Sequence, residues 1–278
     1  MFSIERVVLG SNWLEYEFLV NRAFRKKIFQ TFAALKVFPL ALFLKIMYLS
    51  KTLTEGRRFA ITDIHGCANS FEALLEKIGL NRQDTLFLLG DYISKGRDSK
   101  AVLDLILKLQ QEGYDLRLLR GNHEEMLLHV AGQAKKYLKW FVRVHKCRNL
   151  LNKEEELPKK YWRLLESLPY YIETEDFFLV HAGLNFESEN PLLDKQAMIW
   201  TRKRMCDKQD FLKGKTLVHG HKPTPLRQIK ESIEAAQKII CLDNGCVQGG
   251  KQSEKGKFGK LLCLNLDTRQ LITQKNIG

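Results

Sequence analysis

The chain of 278 residues contains no Cys-x-x-Cys pair, no internal repeat and no long low-complexity tract. Its six cysteines, Cys67, Cys147, Cys206, Cys241, Cys246 and Cys263, are scattered, several of them in apolar strand-like runs where cysteine acts as a small hydrophobe. That pattern excludes a disulfide framework and points to free thiols in a reducing, cytoplasmic setting. Aromatic interleaving of the basic residues and recognisable nucleic-acid motifs are also missing, so no nucleic-acid partner is expected. A clean membrane span is absent: the apolar stretch 31–49 is broken by Lys36, Pro39 and Lys45. Arg22, Arg25, Lys26 and Lys27 precede that stretch, but no small-residue cleavage site follows it. Three readings of residues 1–54 stay open. They are a contact with a membrane, a contact with the protein's own surface, and a translation start at Met47.

What is present is enough for one large domain with an extension. Hydrophobic residues make up 45% of the chain, which supports a substantial core. The net charge is +13. Residues 1–54 hold eight Lys/Arg against three Glu, and residues 55–278 hold 37 against 29 acids. The larger part is therefore basic in its own right, which suits a phosphorylated or polyanionic substrate as well as a plain solvated surface.

From Arg57 the pattern alternates strand and helix. RRFAITDI, TLFLLGD and DLRLLRGN read as strands. Asn69–Ile78 reads as a helix with Phe71, Leu74, Leu75 and Ile78 on one face, and Ser99–Gln110 as another with Val102, Leu103, Leu105, Ile106 and Leu109. The region 124–170 reads as helical with a charged break at Asn152–Lys160. After it the chain reads mostly as strands, through DFFLVHAG, TLVHGH, KIICLDNG, KLLCLNLD and QLITQ. This order predicts an α/β (α+β) sandwich of two mixed β-sheets flanked by helices.

Five segments carry the chemistry: ITDIHGC at 61–67, LGDYISKG at 89–96, RGNHEEM at 120–126, LVHAGL at 179–184 and LVHGHKP at 217–223. Each is an apolar run ending in Asp, Asn or His beside a glycine, as when a buried strand delivers a ligand at its carboxyl end. Asp63, His65, Asp91, Asn122, His181 and His221 together offer two carboxylates, an amide and three imidazoles. That set is too large for one metal ion and suits two ions sharing a carboxylate. Singly, each of these residues would pass for a turn or capping residue.

In these segments the chain resembles the calcineurin-like metallophosphoesterases, and more narrowly the PPP-type serine/threonine phosphatases of bacteria and phages. The family pattern runs GDxHG, GDxxDRG, GNHE, HAG and GH. Here the first segment reads TDIHG, with Thr62 for Gly, and the second reads GDYISKG. The segment MIWTRKRM at 198–205 resembles the family's Trp-x-Arg stretch, and CLDNGCVQGG at 241–250 its closing strands. The resemblance runs from about Arg57 to Leu271 and divides the chain into an extension, 1–54, and a metallophosphoesterase domain, 55–278.

The resemblance implies a four-layer αββα architecture with a dimetal site at the strand carboxyl ends. It implies Asp63, His65 and Asp91 as ligands of one ion, and the bridging Asp91 with Asn122, His181 and His221 as ligands of the other. Hydroxide held between the ions would attack phosphorus in line, with His123 as general acid. The Gly-His-x-Pro form points to His221, with His219 as the alternative. Arg202, Lys95 and Asn122 would contact the substrate phosphate. Two departures stand out. Ser94 replaces the aspartate that orients the general acid, so either another acid such as Glu124 substitutes or the acid role of His123 is weakened. Lys95 replaces a phosphate-binding arginine and keeps the charge but not the bidentate fork. Arg97 reads as a solvated loop residue, Trp200 as core packing rather than a substrate platform, and Cys67 as a packed loop thiol. The N/O donor set without thiolate suits two ions of Mn, Fe or Zn without choosing among them, and Mn is the first expectation.

The leading expectation is a phosphomonoesterase acting on phosphoserine or phosphothreonine proteins or on small phosphoesters. The second is a hydrolase of dinucleoside tetraphosphates or other nucleotides, whose members tend to carry GNHD where this chain has Glu124. The third is a catalytically weak metal- and phosphate-binding scaffold. The oligomeric state is not legible.

Overall fold

The computed structural model describes residues 6–7, 56–202, 209–249 and 257–277. The expected extension, 1–54, lies outside the described residues apart from Arg6 and Val7. The strands are β1 (Arg6–Val7), β2 (Arg58–Ile61), β3 (Thr85–Leu88), β4 (Asp115–Leu118), β5 (Tyr171–Glu173), β6 (Phe177–Val180), β7 (Thr216–His219), β8 (Ile239–Cys241), β9 (Lys260–Asn265) and β10 (Leu271–Lys275). The helices are α1 (Ala68–Ile78), α2 (Ser99–Gln111), α3 (Asn122–Gln133), α4 (Leu138–Val144), α5 (Lys159–Glu166), α6 (Lys195–Trp200), α7 (Gln209–Leu212) and α8 (Leu226–Glu234). No helix among the described residues is long and apolar enough to cross a membrane.

Two five-stranded sheets form, in the orders β1-β5-β6-β7-β8 and β10-β9-β2-β3-β4. Both are mixed. β2, β3 and β4 run parallel, with β9 and β10 antiparallel beside them. β6, β7 and β8 run parallel, with β5 and β1 antiparallel.

Side-chain alternation produces the layers. Ala60, Phe87, Leu179, Val218, Leu262 and Leu264 point between the sheets and form one buried cluster. Their neighbours Phe59, Ile61, Leu86, Leu88, Leu261 and Cys263 point the other way, against α1, α2 and α3. Tyr171, Phe178, Val180 and Leu217 face outward from the other sheet onto Met198, Ile199 and Leu212. The result is the αββα sandwich the sequence predicts. At the strand amino ends Arg58 clamps the sheets together, bonding Asp176 at 2.8 Å and Asp267 at 2.6 Å.

The predicted helices form with ends shifted by one residue, 68–78 and 99–111. The helical region after the third motif is three helices, α3 to α5, and the charged break falls between α4 and α5. α8 lies where a run of strands was expected. Its buried Ile229 and Ile233 are four residues apart, and Pro225 precedes its first turn.

Candidate metal centre

The parallel strands β2, β3, β4, β6 and β7 present their carboxyl ends on one side, and each motif lies at one of those ends. The turns are tight. Asp63, His65, Asp91 and His221 all have left-handed backbones, with φ of 48°, 48°, 55° and 69°. Such conformations cost non-glycine residues about 1–3 kcal/mol each and persist only when the surroundings enforce them. Here cross-strand bonds do so: His65 N–H donates to Asp91 O at 2.8 Å, Gly66 N–H to Tyr92 O at 2.8 Å, and Gly220 N–H to His181 O at 2.7 Å. Gly220 has no room for a side chain, because a Cβ would collide with the Asp63 carboxylate.

Four groups converge in one knot. Asn122 Oδ1 lies 3.1 Å from His181 Nε2 and 3.0 Å from His221 Nδ1, and those two nitrogens are 3.2 Å apart. Asp91 Oδ1 is 3.5 Å from His181 Nε2. His181 sends its Nδ1–H to Leu89 O at 2.9 Å, so its Nε2 carries a lone pair into the knot. These four atoms would suit a divalent cation, which accepts lone pairs from all of them. Turning the Asn122 amide would also supply donors, but would take its oxygen away from the convergence.

A second group shares Asp91. His65 Nε2 is 3.3 Å from Asp91 Oδ2 and 4.0 Å from Asp63 Oδ1. His65 Nδ1 faces Ile93 O at 3.0 Å, which again leaves Nε2 as the lone-pair atom. His123 joins this group, its Nε2 4.0 Å from Asp91 Oδ2. Asp63 sits at the edge, where both its oxygens accept the His221 N–H. The two oxygens of Asp91 therefore look toward different groups.

Electrostatics favour cations here. Burial and the neighbouring Asp91 push Asp63 up to about 8, and burial pushes Asp91 up to about 7. Burial holds His181 down at about 4 and His221 at about 3. Carboxylates that resist ionisation and imidazoles kept neutral are the state in which a bound cation gains most. By this test of donor set and burial, the residues fit two divalent ions.

The leaving-group side is different. His123 Nδ1 is buried and has no partner among the described residues. Burial, with His65 and Lys95 nearby, lowers the pKa of His123 far below the usual histidine value. Ser94 does not serve it: its hydroxyl faces Cys147 Sγ at 3.9 Å. Nor does Glu124, which corrects the expectation that this acid substitutes for the missing aspartate. Its carboxylate accepts the N–H groups of Asp91 at 2.8 Å, Tyr92 at 2.9 Å and Gly121 at 3.0 Å. Glu124 straps the Asp91 loop to α3 and does not touch the imidazole.

At the mouth, Lys95 is exposed, yet its ammonium reaches to 2.7 Å from His65 Nε2. Arg202 Nε lies 3.3 Å from His221 Nε2. Arg97 is exposed, and Cys67 is buried beneath the His65 carbonyl. Trp200 is not core packing: it is 41% exposed and its ring stands 6.3 Å from that of His221. His219 is buried with Nδ1 against Gly220 O at 3.0 Å, outside both groups.

Sequence reasoning passed over Asp243. It is buried, and burial with nearby Asp63 pushes its pKa well up. Its signal was legible: KIICLDNG is another apolar run ending in Asp beside a glycine.

The profile of the calcineurin-like phosphoesterases matches residues 57–248, more than half of the chain. A symmetrical bis(5'-nucleosyl)-tetraphosphatase of Wigglesworthia glossinidia brevipalpis is 31% identical over 127 residues, covering 45% of this chain and 44% of that protein. The corresponding Haemophilus ducreyi protein is 31% identical over 130 residues, 46% of each chain. The chain thus spans about half the length of the curated relatives it matches. Among solved structures, a candidate diadenosine tetraphosphatase is similar in fold, with TM-score 0.56, 23% identity, and coverage of 81% of this chain and 96% of that one. A Saccharomyces cerevisiae serine/threonine phosphatase is also similar, with TM-score 0.50, 13% identity, and coverage of 93% and 97%. By their names these curated relatives are nucleotide hydrolases, not the protein phosphatases expected first. Fold, convergent ligand residues and profile agree that the chain belongs to the calcineurin-like phosphoesterase family.

Proposed function

We propose that this protein hydrolyses the phosphoanhydride chain of dinucleoside polyphosphates, a dinucleoside tetraphosphate foremost. The observation that carries the reading is the unassisted His123. Among the described residues no carboxylate stands behind His123 Nδ1; a neutral imidazole so placed is a poor acid, and a serine alkoxide needs a proton as it departs. A nucleotide phosphate departs as a stable anion and needs none. The kinship with bis(5'-nucleosyl)-tetraphosphatases supports the same choice. So does the net charge of +13, which suits a polyanion.

In this reading Asp63, His65 and Asp91 hold one divalent ion, and Asp91, Asn122, His181 and His221 hold the other, with Mn favoured over Fe or Zn. Two such ions, when bound, lower the pKa of water and neutralise the phosphoryl oxygens. Asp91 fixes the spacing, because one carboxylate serves both groups. Asn122 and Arg202 orient the phosphate, and Lys95 adds charge at the mouth. Glu124 keeps Asp91 in its strained turn. The catalytic unit is residues 55–278.

The test is turnover of diadenosine tetraphosphate against a phosphoserine peptide, on protein loaded with Mn²⁺. Dinucleotide cleavage should exceed peptide dephosphorylation by about 10²-fold or more in kcat/KM, the lower range ascribed to general acid catalysis. Faster peptide turnover would restore the protein-phosphatase reading. Metal binding without turnover of either substrate would restore the scaffold reading.

A further inference from the structure

Trp200 ends α6, and its two predecessors are anchored: Met198 and Ile199 are buried against the outer face of the second sheet. Met198 O accepts the Ala182 N–H at 2.7 Å, which ties the helix to the residue beside His181. Asp194 caps the other end through the Ala197 N–H at 2.9 Å. The Trp200 ring leaves this fixed base and enters solvent, 41% exposed. It stands nearly perpendicular to the His221 ring, at 83° and 6.3 Å. Two residues on, the guanidinium of Arg202 reaches the same imidazole at 3.3 Å. A rigid aromatic surface and a cation thus flank one rim of the metal centre.

We propose that Trp200 is a stacking platform for one purine ring of a nucleoside polyphosphate whose phosphates run past Arg202 into the centre. This rests on the dinucleotide reading above and names its specificity-determining residue. The chemistry favours a base over other occupants. An indole with a free face offers dispersion and π-stacking to a planar heterocycle, and stacking tolerates any base. The adjacent guanidinium selects for the phosphates attached to that base. Because α6 is capped and tied to the His181 loop, the ring needs little further ordering on binding.

The experiment compares wild type, Trp200→Ala and Trp200→Phe on diadenosine tetraphosphate and on p-nitrophenyl phosphate, all loaded with Mn²⁺. Stacking on an aromatic side chain is worth a factor of roughly 5–100 per base. Trp200→Ala should raise the KM for the dinucleotide by about that factor more than the KM for the aryl phosphate. Trp200→Phe should recover most of the loss. ADP should quench a fluorescence component present in wild type and absent from Trp200→Phe. Equal changes for both substrates, or no quenching of that component, would overturn the platform. Wild-type protein that cleaves the aryl phosphate but not the dinucleotide would overturn the substrate reading, and the platform with it.

Discussion

The two sides of the centre are built to different standards. On the metal side every ligand type expected of the family is present, and four of those residues accept left-handed backbones to reach their places. On the leaving-group side the family pattern breaks: Ser94 faces a cysteine, Lys95 leans onto His65, and His123 Nδ1 has no partner among the described residues. Activation of phosphorus and protonation of the leaving group are separable tasks, and the proposed ligand set serves the first. An enzyme so arranged suits substrates whose leaving group needs no proton.

The largest effect should come from the metal side. Asp91→Asn removes the charge that both groups share, and two-metal charge stabilisation is worth several kcal/mol, so kcat should fall by roughly 10³-fold or more. Thermal melts should show that the fold survives. Near-normal turnover in this variant would mean that the two groups do not act as one centre.

Restoring the other side should do less and do it selectively. Ser94→Asp offers His123 Nδ1 the carboxylate it lacks. Turnover of alkyl monoesters should then rise by about 10-fold or more, part of the roughly 10²–10⁴ ascribed to general acid catalysis. Dinucleotide cleavage should change little. Equal gains on both substrates would erase the distinction between the two sides.

The centre also dictates how metal-free protein responds to pH. Asp63 at about 8, with Asp91 and Glu124 at about 7, titrate higher in the folded state than unfolded carboxylates do. Groups raised in this way favour folding at low pH and lose that contribution as pH rises through 7–8. The imidazoles are shifted the opposite way, His181 and His219 to about 4 and His221 to about 3, and lose their contribution as pH falls toward those values. Between about pH 4 and 6.5 the two sets oppose each other, and above the ordinary histidine pKa only the carboxylates act. The Tm of chelator-treated protein should therefore drop by roughly 2–8 °C between pH 6.5 and 8.5, since 1 kcal/mol moves Tm by about 2–4 °C at this size. Mn²⁺ should reverse the drop. A Tm that rises over this window in the presence of chelator would contradict the burial of these acids.

The smallest effect should follow removal of residues 1–46. Their one described contact is the pairing of β1 with β5. A chain beginning at Met47 should hydrolyse p-nitrophenyl phosphate within about twofold of the full chain, as surface changes away from a site usually cost little. Failure to fold would show that the extension packs on the domain.

Much of the metal side was legible because strand periodicity, a terminal Asp, Asn or His and a glycine form a local grammar. The five motifs place Asp63, His65, Asp91, Asn122, His181 and His221 within one cluster, and the same grammar announced Asp243. What stayed hidden depends on where side chains turn after the backbone is set. Glu124 reads as a substitute partner for His123, but its carboxylate is spent on the N–H groups of Asp91, Tyr92 and Ile93 in a neighbouring loop and of Gly121 at the start of its own helix. Trp200 reads as core because tryptophan is large and apolar, yet Met198 and Ile199 fill the interior and leave it outside. The proposed choice of nucleotide over protein substrates rests on an unpartnered nitrogen that the Ser94 departure in GDYISKG foreshadows and the side-chain geometry makes visible.

That nitrogen supplies the most direct test. For a series of Mn²⁺-supported phosphate esters and anhydrides, log kcat/KM can be plotted against the pKa of the leaving group. Without effective proton donation from His123 the slope should be steeply negative, with anhydrides and aryl phosphates far above alkyl esters. Ser94→Asp should flatten it. A shallow slope in the wild-type protein would show that the leaving group is protonated as it departs, and would contradict the account.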